Sequence, residues 1–202
     1  MNRKFLIQLG LGAIFGAAVV ILGVFVFAKP YTFQGSVIDP PASVADFALE
    51  ATDGSTFRLS EQRGNVVLLF FGYTHCPDVC PTTLYDFKQI VQGLDEGAER
   101  VQFAFVTVDP ERDSLDHLAA YVSAFDEQIV GLSGAQKTLD EVYANFGVFY
   151  EKKDVGSAAG YLVDHTARVY VIDAQGNLSL TFPFGMESAA MTDDIAHLLG
   201  EG

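Results

Sequence analysis

The chain places both of its cysteines within five residues: Cys76 and Cys80 stand in "THCPDVCP", residues 74–81, each followed at once by proline. Two thiols at this spacing support three chemistries: a disulfide, thiol-disulfide exchange, or coordination of a soft metal ion. A purely stabilising disulfide is the weakest reading, because a bridge closing so short a loop removes little freedom from the unfolded chain. Proline biases the residue before it away from the helical region, so both cysteines are expected in extended backbone. Pro81 suits a first helical position, which makes Cys80 the expected N-cap, where the positive end of the helix dipole favours a thiolate.

A metal needs at least one more ligand, and the chain has four histidines. His117 and His197 fall inside expected helices and read as ordinary surface or packing residues. His75 adjoins Cys76, but in an extended segment its side chain points the other way. His165, in "VDHTARVYV", stands at the start of an expected strand. Two thiolates and an imidazole suit copper: sulfur holds Cu(I), and the ring nitrogen helps the same site accept Cu(II). Structural zinc asks for four closed ligands and fits less well, even with Asp78 borrowed as the fourth.

The elements that must position these residues are legible around them. "NVVLLFFGY" is a continuous apolar run of strand length, the pattern of a strand buried on both faces. From Pro81, Leu84, Phe87, Ile90, Val91 and Leu94 recur at helical spacing, so the dithiol lies between a buried strand and a helix. "RVQFAFVTVD" reads as a second buried strand and "SLDHLAAYVSAF" as a helix after Asp113, its expected N-cap. "IVGL" is a short apolar run, "GAQKTLDEVYANFG" a helix ending at Gly147, and "VFYEKKDVGSAAGYLV" a hairpin. "ARVYVIDAQGNLSLTF" is an antiparallel hairpin and "ESAAMTDDIAHLLG" a closing helix. Upstream, "DFALEATDGSTFRLSEQ" forms a hairpin around Asp53-Gly54. The order β-α-β-α with a β-β-α finish gives the expected fold class: α/β, thioredoxin-like, a central mixed sheet flanked by helices with an added N-terminal β-hairpin.

Three further regions frame this domain. From Phe5 to Ala28 no residue is charged, and at about 1.5 Å per helical residue the run is long enough to cross a hydrocarbon core of roughly 30 Å. Residues 1–29 are therefore expected to be an N-terminal membrane anchor, a single transmembrane helix. It is preferred to a cleaved signal because the small-x-small pattern before Lys29 is broken by Val26. Residues 30–45 hold three of the seven prolines and are expected as a tether, leaving 46–202 as the folded domain. Arg3 and Lys4 place the domain outside the cytoplasm, on the periplasmic side of the inner membrane if the source is bacterial. All 26 acidic residues and nine of the twelve basic ones follow residue 29, a balance of −17 that excludes nucleic acid as a partner.

"GYTHCPDVCPTTL", "VTVDPERD" and "VDHTARVYVID" resemble, in order, the three signature segments of the Sco/SenC family, over about residues 40–200. The resemblance implies a membrane-anchored, copper-binding thioredoxin-like protein of cytochrome c oxidase assembly, in which Cys76, Cys80 and His165 bind one copper ion. It further implies oxidase subunit II, with its dinuclear copper centre, and other copper chaperones as partners. Asp78 is expected to tune the site from outside the ligand set, and Asp109, with Arg112 and Asp113, to sit in a loop near it. The alternative is a thiol-disulfide reductase that keeps the subunit II cysteines reduced, with Cys76 and Cys80 as its redox pair. Against an ordinary thioredoxin stand the three-residue spacing and the absence of proline between Pro110 and Pro183. A thiol peroxidase fits less well still, and a copper sensor or structural module is a third class.

Overall fold

The computed structural model describes Gly16 and residues 30–157 and 160–200. The chain divides into two compact units, 1–32 and 33–202, and every strand from Ser36 onward, with the helices between them, belongs to the second. Apart from Gly16, the expected membrane span lies outside the described residues, among which no helix is long and apolar enough to cross a membrane.

Eight strands form one mixed sheet in the order β1-β10-β9-β4-β5-β6-β2-β3, and β7 pairs with β8 in a separate two-stranded sheet. In chain order these are β1 (Ser36–Ser43), β2 (Ala48–Ala51), β3 (Thr56–Arg58), β4 (Val66–Gly72), β5 (Val101–Thr107), β6 (Ile129–Ser133), β7 (Tyr150–Ser157), β8 (Gly160–His165), β9 (Arg168–Ile172) and β10 (Asn177–Pro183). The helices are α1 (Val79–Leu94), α2 (Leu115–Ser123), α3 (Gln136–Phe146) and α4 (Ser188–Leu199). β4, β5 and β6 run parallel, while β9 returns antiparallel to β4. This is the thioredoxin-like plan.

All seven residues of β4 are buried, as the unbroken apolar run requires of a central strand covered on both faces. Alternation along the strands sorts the aromatics between those faces. Phe103 and Phe105, two apart on β5, meet Phe87 of α1 and Tyr121 of α2. Phe71 meets Tyr143 and Phe146 of α3 on the other face. α3 ends at Gly147, whose φ of 63° is the left-handed conformation that glycine adopts at a helix C-terminus.

The structure corrects two expectations. Ser36–Ser43, assigned to the tether, pairs with β10 at the sheet edge. Its prolines, Pro40 and Pro41, fall where the register shifts between Val37 and Ala42, and an edge strand tolerates residues that cannot donate to the ladder. The cap of α2 is Ser114 rather than Asp113: the Ser114 hydroxyl accepts from the His117 N–H.

Candidate metal centre

The strand–loop–helix unit β4–α1 carries both thiols, and the base of the β7–β8 hairpin brings the imidazole to them. Cys76, Cys80 and His165 offer ligand atoms that all lie within 4.8 Å of one another. Both cysteines are free, Cys76 half-buried and Cys80 fully buried. The Cys80 backbone N–H donates to Cys76 Sγ at 3.4 Å, and Cys80 Sγ lies 3.4 Å from His165 Nε2.

The ring of His165 is oriented from behind. Its Nδ1 is 3.2 Å from the Thr166 carbonyl, which only accepts, so Nδ1 carries the proton and Nε2 presents its lone pair to the sulfurs. Phe70 and Tyr73 pack edge-to-face on it, at centroid distances of 5.9 and 5.8 Å. Tyr73 is itself fixed, because its hydroxyl accepts from the Val163 N–H of β8.

Cys80 is not the expected N-cap. α1 begins at Val79 with Asp78 as its cap residue, so Cys80 is the second helical residue and lies on the helix. A proline at the third position costs no hydrogen bond, since first-turn N–H groups have no intrahelical partner. Burial of the Cys80 side chain then outweighs the steric bias against a helical residue before proline. The expected thiolate changes place as well. The hydrogen bond from the Cys80 thiol, opposed by desolvation and joined by the backbone N–H donors of Asp78 and Cys80, lowers the Cys76 pKa to about 4. Burial, then the Cys76 thiolate beside it, pushes the Cys80 thiol up. Desolvation overrides the helix dipole at Cys80.

Gly72, the last residue of β4, sets how close the helix can come. A Cβ there would stand 2.7 Å from Cys80 Sγ and 2.9 Å from the Phe105 ring, so the sulfur occupies space that any other residue would fill. Residue types alone did not single it out, although a glycine closing a buried strand is a known mark of close backbone approach.

The remaining expected residues divide. Asp78 is exposed and touches the site through its backbone; its carboxylate belongs to no ligand group among the described residues. Asp113 is fully buried and clamps the dithiol loop to β5. It accepts from the Thr74 hydroxyl at 2.6 Å, the Thr74 N–H at 3.2 Å and the Thr107 hydroxyl at 2.7 Å. Asp109, also buried, pairs with the Arg112 guanidinium and accepts from the Tyr161 hydroxyl at 2.7 Å. Arg112 lies 3.7 Å from the ring centre of Tyr161 and 5.7 Å from that of Tyr73, and donates to the Tyr161 carbonyl at 3.0 Å. "VTVDPERD" therefore tethers both the thiol loop and the hairpin that carries His165, beyond turning the chain.

The model of the family described as SCO1/SenC matches residues 36–200. The chain belongs to the SCO1/SenC family. Among curated relatives it is 34% identical to the mitochondrial SCO2 homolog of Bos taurus over 74% of this chain, a stretch that spans 57% of that protein. Among solved structures it is similar to the apo Sco1 protein of Thermus thermophilus, with 42% identity, 86% of this chain and 99% of the other covered, and a TM-score of 0.73. It is also similar to a copper-bound ScoI of Bradyrhizobium japonicum, with 32% identity, 80% and 100% covered, and a TM-score of 0.71. In this Sco/SenC chain, the first and third of the segments that carried the resemblance hold the three-ligand group, and the second holds Asp109, Arg112 and Asp113.

Proposed function

We propose that the protein is a copper chaperone, holding one copper ion through Cys76, Cys80 and His165 and supporting assembly of the dinuclear copper centre of cytochrome c oxidase subunit II. The observation that carries this reading is the convergence of two thiols and a lone-pair-bearing Nε2 within 4.8 Å. Two soft sulfurs and one borderline nitrogen suit Cu(I) and admit Cu(II), and three protein ligands leave an ion open to capture by a recipient. Copper is the cargo. The thiolate is prepared at Cys76, the half-buried sulfur, while Cys80 gives up its proton when the metal arrives. On this reading residues 5–28 anchor the protein in the inner membrane, with the domain outside the cytoplasm and within reach of other copper chaperones and the oxidase.

The same thiols favour a second reading, a thiol-disulfide reductase for the subunit II cysteines. Cys76 as thiolate attacks one sulfur of a substrate disulfide, and the other sulfur leaves as a thiolate. Cys80 then loses its proton and attacks Cys76 Sγ, releasing the second substrate thiolate and leaving Cys76 and Cys80 joined; the dithiol is oxidised and the substrate reduced. His165 is dispensable for those electron transfers but required for the copper site. In a host lacking the protein, oxidase activity should be lost in Cys76→Ser, Cys80→Ser and His165→Ala alike if copper transfer is the role. Full rescue by His165→Ala, with loss in both cysteine variants, would assign the reductase instead.

A further inference from the structure

The two ends of the central strands carry different surfaces. The thiols follow Gly72 at the C-terminal end of β4, whereas Ile172, the last residue of β9, pairs with Val67 near the other end. The β9–β10 turn that follows Ile172 therefore lies five strand residues, about 17 Å at 3.3 Å each, from the metal end.

Beside that turn runs an apolar groove of about 230 Å³, lined by Phe33, Val37, Ile38, Pro41, Leu180 and Leu198. Val37 is 55% exposed on the edge strand β1, and Phe33, Ile38 and Leu198 are half-buried, so this apolar surface is open rather than part of the core. Exposed arginines flank it. Arg63 donates to the carbonyl of Gln175, itself in the groove wall, and Arg100 donates at 2.9 Å to the carbonyl of Leu199, next to Leu198. Of the two carboxylates in the wall, Asp173 is turned onto the N–H groups of Gln175 and Asn177, at 3.0 and 2.9 Å, and Asp39 is exposed. An apolar floor between two guanidinium groups suits acyl chains beneath phosphate headgroups.

The length of chain before the groove points to the same occupant. β1 begins at Ser36, so little of the sequence is left to serve as a tether. Five peptide links separate Ala28, where the uncharged run ends, from Phe33 in the groove, a reach of at most about 18 Å. A chain anchored through residues 5–28 holds Phe33 within that distance of the hydrocarbon core, in reach of the headgroup layer.

We propose that this groove seats on the lipid surface. Val37, Ile38 and Pro41 enter the interfacial layer, Arg63 and Arg100 pair with lipid phosphates, and the metal centre, at the other end of the strands, faces away from the bilayer towards its protein partners. The proposal rests on the reading of residues 5–28 as an anchor, and the two are separable by experiment.

The chain has no tryptophan, so Val37→Trp introduces a single reporter on an exposed edge position that accepts the larger ring without repacking. The full-length protein is reconstituted in vesicles of phosphatidylcholine and phosphatidylglycerol, with and without brominated acyl chains. Blue-shifted emission, quenched about twofold by bromination, is expected at position 37, and the quenching should weaken when Arg63→Gln and Arg100→Gln are combined. Phe149→Trp, at an exposed site whose N–H donates to Thr166 beside the metal centre, should stay unquenched in a parallel preparation. An unquenched reporter at position 37 would overturn the docking, and retention of that same protein through an alkaline carbonate wash would leave the anchor standing. A protein stripped by carbonate but quenched before stripping would overturn the anchor alone. A blue-shifted reporter indifferent to bromination would assign the groove to a second copy of the chain and overturn the lipid surface as its occupant.

Discussion

The thiol half and the imidazole half of the metal centre are held by different means. Cys80 lies in the hydrophobic core, on a helix whose approach is set by Gly72 and against a strand with every residue buried. His165 closes a hairpin with its own two-stranded sheet, whose first strand carries Glu151, Lys152, Lys153 and Asp154, all exposed. That hairpin is fastened through Arg112, paired with Asp109 and lying against Tyr161, and by the Val163 N–H on Tyr73. Apolar packing thus fixes the Cys80 sulfur, and a largely polar lock fixes the hairpin that carries the nitrogen. Local opening follows sparse apolar contact, so the hairpin is expected to open more readily than the core strands.

The largest effect is expected on the rigid side. Gly72→Ala drives a methyl group into Cys80 Sγ and Phe105. Overpacking of this kind is expected to lower unfolding stability by about 1–3 kcal/mol in denaturant titration. Copper affinity should fall with it, since the displaced atom is itself a ligand on our reading. On the mobile side, Arg112→Met with Asp109→Asn removes both charges and so strands neither in the interior. A global loss of about 1–2 kcal/mol is expected, as for ordinary point changes. Amide exchange in 150–165 should accelerate at least tenfold while residues 66–72 keep their protection. Equal acceleration in both regions would erase the distinction between the halves.

The thiols give a test within the rigid half. With Cys76 lowered to about 4, its alkylation rate should be nearly flat above pH 5 and collapse below pH 4, while Cys80 stays unreactive throughout. The linked stability has the same sign: the unfolded thiol ionises near 8.5–9, so the thiolate's stabilisation is full above that range, shrinks as pH falls, and is gone below about 4. The difference between the wild-type protein and Cys76→Ser against pH measures it. The smallest effect belongs to Lys152, which pairs with Glu111 at 2.6 Å on the surface. Lys152→Ala should cost less than about 1 kcal/mol, because exposed ion pairs are screened by water, and should loosen only the hairpin.

Much of this architecture was legible in residue types. The apolar run of β4 announced a buried central strand, Asp53-Gly54 a hairpin, and the cysteine spacing with His165 the three residues that converge. β1 was hidden because Pro40 and Pro41 break its alternation at a place where the pairing itself shifts. The choice of thiolate was hidden because dipole and burial act oppositely on Cys80, and only the fold shows that burial wins. Asp113 reads as a turn residue until Thr74 and Thr107, distant from each other in sequence, are seen to share its carboxylate. Tyr73 and Tyr161 carry no sequence signal of their role, which depends on Arg112 lying close to both rings.

Whether one copper is held by two sulfurs and one nitrogen can be read by X-ray absorption on the full-length protein loaded with a single equivalent of Cu(I). Two sulfur neighbours and one imidazole are expected, with the imidazole shell absent in His165→Ala. A first shell without two sulfurs, or one unchanged by His165→Ala, would overturn this coordination.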